Sequence, residues 1–120
     1  MGTMSEISEL KHRISRYKSK IAKLESAAET IRQEQAIIES DVLKPNRAYD
    51  MSNVDEWRGS LHQEAKDIQS DIDNKISIGL RGTNTLLSKI QEAIEKLYEL
   101  IRECEDEISE LEARLCSENM

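Results

Sequence analysis

The chain has 120 residues, a formal net charge of −7 and a pI of about 4.9; charged residues make up 34% of it and aromatic ones 3%. With two Val, no Phe and one Pro, the composition excludes all-β and parallel α/β folds, and no run approaches the ~18 uncharged apolar residues of a membrane span. The acidic balance argues against a general nucleic-acid or anionic-membrane surface, and Ile and Leu scattered among Glu, Lys, Arg, Ser and Gln predict an all-α fold of long amphipathic helices.

The opening residues, Met1 to Glu6, lack the basic and apolar regions of a secretory signal peptide, and Glu6 stands where a myristoylation pattern wants Ser or Thr. Export, if it occurs, is expected to follow a route without a classical signal, from a cytoplasmic starting point. The first arm is a heptad: Ile7, Leu10, Ile14, Tyr17, Ile21, Leu24, Ala28, Ile31, Gln35, Ile38 and Val42 follow 3-4 spacing. It predicts a helix from about Ser5 to Leu43, with N-cap chemistry at Ser5 and a stop at Pro45. Lys11, Arg13, Arg16, Lys18, Lys20 and Lys23 form a basic stretch on this arm with no acid between them.

A loop of about residues 44–54 follows, and Ser52 or Asn53 with Asp55 and Glu56 begins a second helix of about residues 55–115. Its first half reads as an eleven-residue repeat: Leu61, Ala65 and Ile68 recur as Ile72, Ile76 and Gly79, then as Thr83, Leu87 and Ile90. From there a heptad returns through Ile90, Ile94, Leu97, Ile101, Cys104, Ile108, Leu111 and Leu115. Gly79 and Gly82 sit at the change, and the stripe running through them favours a continuous helix with close packing or a slight bend there. The alternative is a break near Gly79–Gly82 and a three-helix arrangement. Beyond it, Glu99 to Glu112 carry seven acids against one Arg, so the charge of the two arms is complementary.

These elements predict a single helical domain over 1–120: an antiparallel hairpin with coiled-coil-like packing and an overlong second helix. With the corner near residue 50, Leu43 lies opposite Trp57 and Ile7 opposite residue 93. The seam Ile90, Ile94, Leu97, Ile101, Cys104, Ile108, Leu111 and Leu115 is then largely unmatched within the chain and is the candidate partner-binding surface.

At the corner stands Trp57-Arg58-Gly59, where a large ring can plug the end of an interhelical groove and the glycine permits a close backbone approach. Two amphipathic helices with Trp-X-Gly between them resemble the WXG hairpin family of type VII secretion. The long second arm and charged Ile/Leu heptads look more like the small partner proteins encoded beside LXG-domain polymorphic toxins. The stretch Asp55 to Ile76 carries most of that likeness, and Trp57 and Gly59 are its turn motif. The resemblance implies a non-catalytic partner that binds the helical N-terminal domain of an LXG-type toxin and helps present it for secretion. One family element is absent: Tyr98, Tyr49 and Tyr17 are followed four residues on by Arg102, Asn53 and Ile21 rather than by an acid.

Catalytic and cofactor chemistry is not expected. His12 and His62 lie on different arms without a ligand cluster, there is no phosphate loop, and pairs such as Glu103 and Glu107 are carboxylates on a polar helix face. Cys104 and Cys116 are about 18 Å apart on one helix, too far for a mutual disulfide. The alternatives to a toxin partner are a homo-oligomeric coiled-coil scaffold or adaptor, and a binder that masks a basic protein with the acidic end.

Overall fold

The computed structural model describes residues 2–50 and 59–118, and these form an all-α helical hairpin. Helix α1 spans Thr3–Ile38 and runs directly into a π-helical turn, Glu39–Leu43, and then a short helix α2, Lys44–Ala48. Helix α3 spans Ser60–Glu118, 59 residues without a break at Gly79 or Gly82, so the three-helix alternative does not occur. No strand is present among the described residues.

The starts of α1 and α3 each involve a glycine carbonyl. The Gly2 carbonyl accepts from the Glu6 amide at 3.0 Å, which starts α1 ahead of Ser5 and leaves that serine inside the helix rather than capping it. Gly59 has φ +57°, and its carbonyl accepts from the Gln63 amide at 3.4 Å. A Cβ at Gly59 would meet nothing within 4 Å. The glycine therefore serves a left-handed backbone conformation, not the close approach expected from the sequence.

Pro45 does not end the first arm. In the π turn the Lys44 amide bonds to the Glu39 carbonyl, five residues back, and this wider winding leads into α2 with Pro45 in its first turn. Proline is tolerated there because the amide it lacks would be unpaired at a helix start anyway. The helical path then ends at Tyr49, whose backbone is extended. The extra residue in the π turn also changes phase: Leu43 is buried at 5% exposure while Val42, the expected seam residue, is 45% exposed.

The chain gathers into two compact units, one of residues 1–28 with 88–120 and the other of residues 29–87. In the first, Ile7 and Leu10 of α1 form a core cluster with Cys104, Ile108 and Leu111 of α3, with Ile14, Tyr17 and Leu115 packed against it. Ile21, Ala28, Ile90, Ile94 and Ile101 are buried in the same unit. This overturns the expected register, in which Ile7 faced residue 93 and the seam beyond was bare. The error lay in placing the corner near residue 50. Within the second unit Gln35 of α1 bonds to Thr83 of α3, and the residue midway between them in sequence is Gly59.

The first unit also brings the two charged stretches together: Lys11 and Glu112 border one surface groove, and Arg13 and Glu107 another. Cys104 lies in the core, and burial pushes its thiol pKa up, against a smaller opposing effect of Arg13.

Candidate partner-binding surface

Six residues of the predicted binding seam, Ile90, Ile94, Ile101, Cys104, Ile108 and Leu111, are buried within the chain; Leu97 and Leu115 are half-buried. The seam is thus the chain's own core and not an open surface. Of the turn motif, Trp57 lies outside the described residues, and Gly59 stands at the start of α3.

The unit of residues 29–87 has the opposite character. Of the eleven buried hydrophobic residues described, ten belong to the first unit and only Leu43 to this one. Of the ten exposed large hydrophobics, eight are here: Ile37, Val42, Tyr49, Leu61, Ile68, Ile72, Ile78 and Leu86. Apolar surface left in water costs roughly 25 cal/mol per Å² relative to burial, so this is where a partner has most to contribute.

Beside Leu43, Ile38, Ile76 and Leu80, much of what joins the helices in this unit is polar. Gln35 Nε2 donates to Thr83 Oγ1 at 2.5 Å and to Asn84 Oδ1 at 2.8 Å. On α2, Asn46 Nδ2 donates to the Gln69 carbonyl at 3.0 Å, and Gln69 Nε2 donates back to the carbonyls of Asn46 at 2.6 Å and Tyr49 at 3.2 Å. Arg47 grips Asp73 through Nε at 2.5 Å and Nη2 at 3.3 Å, a bidentate fork that the Ser77 hydroxyl joins by donating to Asp73 at 3.4 Å. The Arg47 hydrogen bond holds the Asp73 carboxyl below the usual carboxylate range, and desolvation acts against it.

The expected eleven-residue repeat holds in part: Ala65, Ile76 and Leu87, eleven residues apart, all lie inward, as do Thr83 and Ile90. On α3 the half-buried positions His62, Ala65, Gln69, Asp73, Ile76, Leu80, Thr83 and Leu87 advance in steps of 3-4-4-3-4-3-4, with Ser77 beside them and several polar members. Leu61, Ile68, Ile72 and Gly79 belong instead to a second line, also in 3-4 steps, that faces solvent. The eleven-residue pattern had crossed from one line to the other. That outer line was visible in the residue spacing, but hydropathy alone does not reveal which of two adjacent lines a helix partner covers.

Gly79 and Gly82 sit on the outer line, where a Cβ at either would meet nothing within 4 Å, so neither supports close packing inside the chain. Beside Gly79 lies an apolar groove of about 240 Å³ lined by Ile38, Ile76, Leu80 and Thr83. Among the described residues no cluster of His, Cys, Asp or Glu is arranged to hold a metal ion, and no helix is long and apolar enough to cross a membrane.

A family model described as YwqH-like matches residues 3–118. Neither curated proteins nor solved structures gave a match to the chain.

Proposed function

Because the chain belongs to the YwqH-like family, we propose that it is a non-catalytic helical partner of a type VII secretion toxin substrate. Proteins of this family are small, helical and linked to LXG toxin systems. In this reading the chain binds the helical N-terminal domain of an LXG-type toxin and accompanies it to export. The observation that carries it is the unit of residues 29–87, where Leu43 is the one large hydrophobic fully buried among the described residues while eight stay outside. An amphipathic helix laid against such a face buries its own apolar stripe and that of the chain together.

The test is co-expression of the full chain with the helical N-terminal domain of an LXG-type toxin, followed by size-exclusion chromatography with mass measurement. A stable complex is expected, and separate elution at all concentrations would refute the reading. Leu97→Glu, Ile101→Glu and Ile108→Glu together should unfold the first unit, since Ile101 and Ile108 are buried in it and Leu97 is half-buried.

A further inference from the structure

The first unit sorts its charges between the two sides of its seam. On α1 the residues one place before Ile14, Tyr17, Ile21 and Leu24 are Arg13, Arg16, Lys20 and Lys23. On α3 those one place before Ile90, Ile94, Leu97 and Ile101 are Lys89, Ala93, Lys96 and Leu100. One residue turns a helix by about 100°, so each set lies along one flank of the seam. The two flanks share a face. Near the end of the unit, Glu6, Glu9 and Arg13 of the α1 flank border one groove with Glu107 of the α3 flank. Ser8, Lys11 and Glu112, each one place after a seam residue, border a separate groove. We propose that the cationic face is a docking trough for an acidic amphipathic helix of a partner protein.

The chain carries a net charge of −7, yet from Arg13 to Lys23 and from Lys89 to Leu100 these flanks hold six cations and no acid. The opposite face over the same stretch mixes signs, with Lys18 and Arg102 among Glu25 and Glu95. Glu92 and Glu99 stand two places from the seam residues on either side, on the back of α3 and away from the trough. Arg13 pairs with Glu9 at 3.7 Å. The other five cations are exposed and make no ion pair among the described residues. Their charge is therefore open to an anion from outside the chain.

Spacing and shape select a helix among the possible anions. The α1 row covers ten residues, about 15 Å of helix, and packed helix axes lie about 8–10 Å apart, so a third helix can rest between the two rows. Half-buried Leu100 and the small Ala93 lie on the same flank as Lys89 and Lys96 and give the trough an apolar strip. A helix with Glu or Asp on both sides of a leucine stripe repeats its carboxylates in the same 3-4 steps as the cations. A long anionic ligand fits badly. Beyond Arg13 and Leu100 the same flanks continue as Glu6 and Glu9 on α1 and Glu103, Glu107 and Glu110 on α3. A nucleic-acid duplex or an anionic membrane lying along the face meets those five carboxylates, whereas a helix acidic over about three turns stops short of them. Every residue of the trough belongs to the first unit, so its docking role is independent of the toxin reading.

The experiment titrates the full chain into a fluorescein-labelled synthetic helix of about 20 residues, with leucines in 3-4 steps flanked by Glu, and reads anisotropy. Binding is expected at low salt and should weaken as salt is added, although peptide and chain are both acidic overall. Lys20→Gln, Lys23→Gln and Lys96→Gln together should weaken it about tenfold, since three exposed pairs are lost. Lys11→Gln, Lys18→Gln and Arg102→Gln together change the net charge by the same amount on the opposite face and should leave binding nearly unchanged. All six residues are exposed, and circular dichroism should show the parent's helix content in both variants. Absence of binding at low salt overturns the proposal, as do equal losses in the two variants. A short DNA duplex or a phosphatidylserine vesicle that binds more tightly than the peptide, and loses binding in the first variant, assigns the trough to phosphate and also overturns it. Self-association that the peptide displaces would give the face to a second copy, with the same result.

Discussion

The same substitution, Gly→Ala, should have opposite effects at two places on α3. Gly79 and Gly82 lie inside the helix with ordinary helical backbone, and a methyl group at either meets nothing within 4 Å. Alanine in a helix interior is favoured over glycine by about 1 kcal/mol, mainly because the unfolded chain has less freedom to lose. The two sites share no partner side chain, so Gly79→Ala with Gly82→Ala should add to about 2 kcal/mol. In a chain of this size that corresponds to a rise in melting temperature of roughly 6–12 °C. At Gly59 the space is just as open, but φ is +57°. There alanine should cost about 1–2 kcal/mol, since an L-residue in the left-handed region brings its Cβ against a carbonyl oxygen. The assay is thermal unfolding followed by circular dichroism, at a dilution low enough to keep the chain monomeric. Destabilisation by Gly79→Ala under those conditions would refute the reasoning, because it would mean that something within the chain occupies the space over that glycine. Equal effects at Gly59 and Gly79 would refute the assignment of Gly59 to the left-handed region.

In the first unit, Leu10→Ala or Ile108→Ala should cost about 2–4 kcal/mol, whereas Leu61→Ala should leave the melting temperature of the monomer nearly unchanged, as denaturant titration would read. Cys116 is exposed and Cys104 buried with its thiol pKa raised, so a maleimide under native conditions should modify one thiol, identified by peptide mass, and both only after unfolding. The Asp73 carboxyl is held low by Arg47, so its stabilising contribution is complete above the usual carboxylate range and is lost as pH falls through the depressed value. The melting temperature of Asp73→Asn should accordingly lie below that of the parent near neutral pH and converge with it in strong acid.

Helix content and the two heptad runs could be read from residue spacing alone: Ile7 to Ile38 lies on α1, and Ile90 to Leu115 on α3, each facing inward. Which run met which could not. Register in a hairpin follows from where the corner lies, and Pro45 marked a stop that the π turn before it removes. Setting Gln35 beside Thr83, and Ile7 and Leu10 beside Cys104, Ile108 and Leu111, converts Ile94 to Leu115 from bare surface to inward-facing residues. Polar seam residues were the second obstacle. Gln69 and Asp73 are half-buried because Asn46, Arg47 and Tyr49 supply their hydrogen bonds, and that matching is invisible until the two arms are set side by side. With Gln69 and Asp73 counted as surface, the neighbouring Ile68 and Ile72 looked like the inner line. The expected partner seam therefore fell on a stripe that the chain buries as its own core.

The π turn at Glu39–Leu43 has a consequence for the length of the chain at that point. One residue more than an ordinary helical turn rotates everything downstream by about 100°, and it is this rotation that aims Asn46 and Arg47 at Gln69 and Asp73. A single deletion among residues 39–43 would restore ordinary winding, swing both side chains away from α3 and bring Pro45 back into conflict with the turn before it. The first arm thus tolerates substitution at these positions far more readily than any change in their number, and an alignment of true counterparts should keep the count constant across residues 39–43 while letting their identities drift.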